Sequence, residues 1–231
     1  MQTLPPIIDS HAHLTFDDAF GEDRAAVIER ARAAGVERIV CIGTGVASST
    51  QARDLAHAWP CVFASAGVHP HQVDEFRDDQ WPALEALWAD ERVCAVGETG
   101  LDYFYDYGDR DRQRALYRRH LEAAGAVGKP VVVHIRDAFD DAFAAAAEVG
   151  LHAGGVVHCF TGGRAELDRA LALGFDISLS GIATFKSAKA LRAAIPHVPL
   201  DRLHVETDAP YLAPFKEVLH GCRSIRRPGA G

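Results

Sequence analysis

Two histidines spaced two residues apart, His11 and His13, follow the apolar pair Ile7-Ile8. Alternate side chains on a β-strand share a face, so both imidazoles project to one side while Ala12 projects to the other. Two converging imidazoles either hold a borderline divalent cation or hydrogen-bond as a structural pair, and the motif alone leaves both open. The same residue types recur where other apolar runs end. Gly67-Val68-His69-Pro70-His71 is one such place, and Gly97-Glu98-Thr99-Gly100-Leu101-Asp102 another. His134 with Arg136 just beyond, Val156-Val157-His158-Cys159-Phe160 and Glu206-Thr207-Asp208-Ala209-Pro210-Tyr211 complete the set. A lone histidine is most simply a satisfied structural group. Apolar runs that repeatedly end in His or an acid are not readily arranged by chance.

The number of ligands decides what such a set can hold. His11, His13, His134 and His158 with Glu98 and Asp208 are too many for one catalytic ion, which keeps an open position. They suit two ions about 3.5–4 Å apart, bridged by a carboxylate and a water. Glu98, near the middle of the order, is the natural bridge. Nitrogen-rich ligation favours Zn, Mn, Fe, Co or Ni over Mg, which prefers oxygen.

The elements that must position these groups alternate along the chain. Strands are expected at Ile7–Ser10, Arg38–Gly43, Val62–Gly67, Val93–Gly97, Val131–Ile135, Gly155–Cys159, Asp176–Ser180 and Leu203–Glu206. Helices are expected near Arg24–Ala34, Thr50–Ala58, Trp81–Ala89, Arg112–Val127, Phe139–Val149, Ala165–Leu173 and Ala188–Ile195. Gly35, Gly150 and Gly174 fall just past helix ends, where left-handed caps are wanted, and Ser49, Asp137 and Ser187 stand near helix starts. Near-continuously apolar strands that alternate with helices form a parallel sheet covered by helices. Eight such units favour a closed (β/α)8 TIM-type barrel, whose catalytic groups sit at the C-terminal strand ends. A dinucleotide-binding sheet would carry a glycine-rich loop after strand one, where this chain has His-Ala-His. One domain over 1–231 is expected, with a lead-in at 1–6 and a tail at 215–231.

Composition narrows the class. The 231 residues are 48% hydrophobic, enough for a large core, and no apolar run of about 18 residues predicts a membrane span. The N-terminus lacks the pattern of a secretory signal, so a cytoplasmic protein is expected. Five cysteines, odd in number and without a CxxC pair, are expected to be reduced. A net charge of −8 argues against a surface that coats nucleic acid, but not against a nuclease whose ions supply local positive charge.

As a set, His11-x-His13, Gly97-Glu98-x-Gly100-Leu101-Asp102, His134, His158-x-Phe160-x-Gly162 and Glu206-Thr207-Asp208-Ala209-Pro210-Tyr211 closely resemble the TatD-type metal-dependent hydrolases. Gly67-Val68-His69-Pro70-His71 and Thr184-Phe185-Lys186 also look like segments of that family, and the similarity runs in order over roughly 7–214. The resemblance implies a (β/α)8 barrel and metal-assisted hydrolysis of phosphodiester bonds, typically in DNA; neither a membrane nor an obligate protein partner is expected. Carried over by position, it implies that His11, His13 and Asp208 hold one ion, that His134 and His158 hold a second, and that Glu98 bridges them. The two divalent ions (Zn, Mn, Co, Ni, Fe or Mg) would activate a water, and Asp208 would take its proton. His69, Tyr103, Arg136 and Lys186 are expected to contact substrate, with the Tyr103-Phe104-Tyr105 run stacking a base, whereas His71 is a weaker candidate. Glu206, on the opposite face of a regular strand, is expected to be structural.

From Phe215 onward the chain departs from the family pattern, and no amphipathic helix of useful length is evident. The last helix is therefore expected to be missing or incomplete. An exposed apolar flank on strands one and eight, lower stability or self-association would follow, with the ion of the opening histidines the more weakly held. The alternatives are an ester, lactone or amide hydrolase on the same barrel, and an inactive truncated relative.

Overall fold

A computed structural model describes residues 6–105 and 107–214. Eight strands lie in one parallel sheet, in sequence order: β1 Ile7–Ala12, β2 Val36–Cys41, β3 Val62–Ala66, β4 Val93–Asp102, β5 Val131–Arg136, β6 Gly155–Val157, β7 Phe175–Leu179 and β8 Leu203–Val205. Seven helices alternate with them: α1 Arg24–Ala33, α2 Val46–Ala58, α3 Trp81–Trp88, α4 Arg110–Val127, α5 Phe139–Val149, α6 Arg164–Leu173 and α7 Lys189–Ala194. The ring closes just beyond β8. Ala12 bridges Ala209, the Asp208 N–H donates to the His11 carbonyl at 2.9 Å, and the His13 N–H donates to the Ala209 carbonyl at 2.8 Å. The fold is the expected (β/α)8 barrel. The tail at 215–231, on which the expectation of a missing last helix falls, lies outside the described residues. Ile7, Ile8 and Val205, on the flank of β1 and β8, are exposed at 37%, 50% and 49%.

Strand interiors explain the closed barrel. Val62, Ala64, Val93, Val131, Val133 and Ile177 are all fully buried, and the helices bury Ile28, Leu84, Leu121 and Leu167 against the sheet. Two glycines let β4 sit tightly on β5. A side chain at Gly97 would come within 2.4 Å of the Val132 carbonyl, and one at Gly100 within 2.0 Å of the His134 carbonyl. Glu98 lies between those two contacts, so its position is fixed by close backbone approach on both sides.

Helix starts differ from expectation at four places. Ser49 is not a cap: it is buried one turn inside α2, and its Oγ accepts the Gly67 N–H at 3.3 Å, bracing the end of β3. Gly45 takes the cap position, with the Ser48 hydroxyl accepting its N–H at 3.0 Å. Asp137 and Ser187 each precede the actual cap residue by one, Ala138 for α5 and Ala188 for α7. Asp109 caps α4 through a side-chain bond from the Arg112 N–H, which starts that helix two residues early. Gly35, Gly150 and Gly174 all take positive φ past helix ends as expected, but Gly150, with ψ 150°, is not a left-handed cap.

A second strut was not legible from the sequence. His120 on α4 is fully buried against Trp81 and Trp88, and its Nε2 accepts the Val68 N–H at 3.2 Å. Nδ1 therefore carries the proton and donates to the Leu116 carbonyl at 2.7 Å. Burial pushes this imidazole down to about 4. The unfolded chain takes up this proton near pH 6.5 and the folded chain only near 4, so the stability it supports is full above 6.5 and is lost as the pH falls. His120→Leu should cost about 1–3 kcal/mol at pH 7, because it orphans a buried N–H. By pH 4.5 the wild type should have lost about 2.4 kcal/mol that the variant does not lose. Urea unfolding of metal-stripped protein at both pH values should show the gap closing or reversing, and a constant gap would contradict a neutral buried His120.

Candidate metal centre

The C-terminal ends of β1, β3, β4, β5, β6 and β8 bring their polar groups to one point. Glu98 is 1% exposed and lies at its middle. Its Oε1 is 2.8 Å from His158 Nε2, 3.3 Å from His134 Nδ1 and 3.5 Å from His69 Nε2. Its Oε2 faces the β1 pair instead, at 3.5 Å from His11 Nε2 and 3.9 Å from His13 Nε2. Asp208 closes that side, with Oδ1 at 3.2 Å from His13 Nε2 and 3.6 Å from His11 Nε2. One carboxylate thus divides its two oxygens between two sets of imidazoles.

The polar atoms here fit cations better than they fit each other. His11 Nε2 faces His13 Nε2 at 3.2 Å, and His134 Nδ1 faces His158 Nε2 at 3.1 Å. Two nitrogens bound to one tetrahedral zinc at 2.0–2.1 Å would be about 3.3 Å apart. Glu98 Oε2 and Asp208 Oδ1 are buried without a hydrogen-bond partner among the described residues, a costly state for carboxylate oxygens. Three overlapping groups have donor atoms close enough to share an ion: His11, His13 and Glu98; His11, His158 and Asp208; His69, Glu98 and His134. The division is less clean than the resemblance implies. His158 reaches toward both ends, stacking on His11 at 3.9 Å, and His69, expected only as a substrate contact, joins the ligand-like cluster.

Protonation follows from burial and from this carboxylate. Burial alone would raise Glu98, but the charges of His158, His69 and His11 hold it well below the usual carboxylate range. Burial opposes a proton on His158 too, yet Glu98 and the hydrogen bond to Glu206 lift it well above the ordinary imidazole value. His69 and His11 are pushed down, chiefly by burial. The cluster therefore keeps an ionised carboxylate among imidazoles that are not all protonated, as ligands must be to accept a cation.

A surrounding layer fixes the rings. Asp102 Oδ2 accepts from His71 Nε2 at 2.8 Å and from His134 Nε2 at 3.1 Å, which leaves His134 Nδ1 free to face Glu98. Asp102 is itself held by Gln113, buried on α4, whose Oε1 accepts the Asp102 N–H at 2.9 Å and whose Nε2 donates to the Asp102 carbonyl at 3.2 Å. Despite burial, the bonds from His134 and His71 keep the Asp102 carboxyl below its ordinary range. Asp9 ties β1 to the end of β8, accepting from the Thr207 hydroxyl at 2.7 Å and N–H at 3.0 Å, and burial raises it to about 6.

Glu206 corrects the expectation based on strand alternation. β8 ends at Val205, so Glu206 escapes the alternation and turns inward. Its Oε1 accepts the Cys159 N–H at 2.7 Å and lies 3.5 Å from His158 Nδ1, orienting that ring. Its role is structural, but at the site. Tyr103 is also engaged elsewhere: its hydroxyl donates to Asp141 at 2.6 Å and accepts from Arg114 at 3.0 Å, with Arg110 over its ring. Arg136 lies 4.1 Å over Phe104 and 4.7 Å over Tyr105, and Lys186 is exposed on the loop between β7 and α7. Asp102 ends a motif visible in the sequence that does not show its role, and nothing in the sequence marks Gln113.

Comparison with known proteins agrees with this geometry. The model of the family described as TatD related DNase matches residues 8–226, continuing beyond Pro214, where the motif resemblance ended. The Escherichia coli (strain K12) protein named uncharacterized metal-dependent hydrolase YcfH is 42% identical over 212 residues, 90% of this chain and 79% of that protein. The 3'-5' ssDNA/RNA exonuclease TatD of Edwardsiella piscicida is 40% identical over 212 residues, covering 90% of this chain and 81% of its own. Among solved structures, the TatD homologue YjjV of Escherichia coli superposes with a TM-score of 0.85 at 31% identity, over 91% of this chain and 82% of that one.

Proposed function

The chain belongs to the TatD family of metal-dependent hydrolases, and from that premise we propose that it hydrolyses phosphodiester bonds in single-stranded DNA with two divalent ions. The observation that carries this reading is Glu98, whose two buried oxygens face separate histidine sets. In it His11, His13 and Asp208 would hold one ion and His134 and His158 the other, with Glu98 serving both. Nitrogen-rich ligation favours Zn, Mn, Fe, Co or Ni. Ions bound there would supply Lewis acidity toward a phosphodiester and lower the pKa of an attacking water.

The side chains do the remaining work. Asp208, buried beside His13, accepts the proton of the attacking water. Asp102 and Glu206 fix the rings of His134 and His158, so the site is set before substrate arrives. His69 lies beside Glu98, and Arg136 and Lys186 are phosphate contacts in this reading. The substrate class draws on the relative named a 3'-5' ssDNA/RNA exonuclease. No helix among the described residues is long and apolar enough to cross a membrane, and a cytoplasmic site of action is part of the proposal.

The competing reading keeps the ions and changes the bond. Metal-stripped protein reloaded with Mn or Zn should cleave single-stranded DNA at least about a hundredfold more efficiently, in kcat/KM, than it hydrolyses a carboxylic ester, a lactone or an amide. The reverse order of preference would replace the nuclease assignment with one of those hydrolases.

A further inference from the structure

Exposed aromatic side chains stand on two sides of the mouth of the barrel. Phe104, Tyr105 and Tyr107 follow β4, and Phe104 and Tyr107 are 56% and 64% exposed. Tyr105 and Tyr107 are parallel within 5° at 5.1 Å, and both touch His71 edge-on. Phe16 follows β1 and Tyr211 follows β8; they are 42% and 50% exposed and lie 6.0 Å apart. In a ring of eight strands in sequence order, β4 lies diametrically across from β8.

The rings between the two groups form a continuous line through the candidate centre. His71 lies 6.1 Å from His134, His134 lies 5.3 Å from His158, and His158 stacks on His11. His11 is 4.9 Å from His13, which is 5.8 Å from Tyr211. The Phe104 side also carries Arg136, whose guanidinium lies over both Phe104 and Tyr105 and has no ion pair among the described residues. The Phe16–Tyr211 side has no such cation over its rings among the described residues.

We infer that a single strand of nucleic acid lies across the barrel mouth with bases stacked on both patches. The body of the strand rests on the exposed rings of Phe104 and Tyr107, with Tyr105 packed between Tyr107 and Arg136 as their backing and Arg136 at the next phosphate, and the nucleotide to be released rests on Phe16 and Tyr211. For the identity of the strand we rely on the hydrolase reading above. Flat rings accept any base, because every base has a π-face, and a guanidinium with no ion pair among the described residues meets a phosphate rather than a base edge. A duplex, whose bases are already stacked on each other, gains nothing from such platforms, so binding should be weak toward double strands and tolerant of sequence.

Fluorescence anisotropy with a labelled, cleavage-resistant phosphorothioate oligothymidine tests this on the metal-loaded protein. The variant Tyr105→Ala/Tyr107→Ala should raise Kd at least about tenfold, and Tyr105→Phe/Tyr107→Phe, which keeps both ring faces, should restore it. Phe16→Ala should lower kcat/KM for an oligothymidine relative to that for bis(p-nitrophenyl) phosphate, a diester with no nucleobase. Unchanged affinity in the double alanine variant would overturn the strand platform, and an unchanged ratio in Phe16→Ala would overturn the second one. A protein that binds the strand through these rings yet leaves every diester uncut would sink the hydrolase reading and support the platforms.

Discussion

Glu98→Gln should lower phosphodiester hydrolysis by about three orders of magnitude, roughly 4 kcal/mol of transition-state stabilisation. The substitution keeps the volume of a side chain that is 1% exposed and removes its charge. That charge serves five imidazoles at once, with Nε2 or Nδ1 atoms between 2.8 and 3.9 Å from its oxygens. An amide there would also turn N–H groups toward ring nitrogens that must act as acceptors. In the proposed centre both ion sites should weaken together, since each would draw on one oxygen of the same carboxylate. The change is read as kcat/KM on single-stranded DNA, with circular dichroism confirming the fold. Activity within tenfold of wild type would mean that Glu98 is a structural counter-charge to His158 and not the bridge.

Asp208→Asn should cost about two to four orders of magnitude in kcat, the range expected for removing a general base. The position makes a clean test. Asp208 has φ +52°, a left-handed conformation that asparagine adopts as readily as aspartate, so the backbone should not move. Its closing bond to the His11 carbonyl is made by the backbone N–H and survives the change. The carboxylate, whose Oδ1 is buried without a hydrogen bond beside His13, is lost. Assayed at saturating metal, the deficit should fall on kcat with KM little changed. A loss confined to KM, or cured by more metal, would make Asp208 a ligand only and move the proton acceptor elsewhere.

How much of this could be read in advance depends on what each residue answers to. Strand ends were legible because a parallel barrel displays its chemistry at the C-terminal tips, so His11, Glu98, His134, His158 and Asp208 announced themselves. Glu206 was misplaced because alternation holds only while the chain stays in the sheet, and the sheet ends one residue earlier. His120 and Gln113 were invisible for another reason. Each sits on an otherwise charged helix, and its partner lies on a different element: Val68 for His120, 52 residues away, and Asp102 for Gln113. In the aromatic run after β4 the sequence did not show which ring faces the site. Tyr103 turns toward Asp141 and Arg114, while Tyr105 and Tyr107 are the rings that face His71.

The central claim is that Glu98 joins two ions in one centre, and metal content tests it most directly. Protein stripped with a chelator, reloaded and freed of excess metal should carry two ions per chain by elemental analysis, in the manner of two-metal hydrolases. The stripped form should not cut DNA, and Glu98→Gln should retain fewer ions than the wild type after the same reloading. One ion or none in a fully active wild type, or cleavage that survives the chelator, would contradict the account.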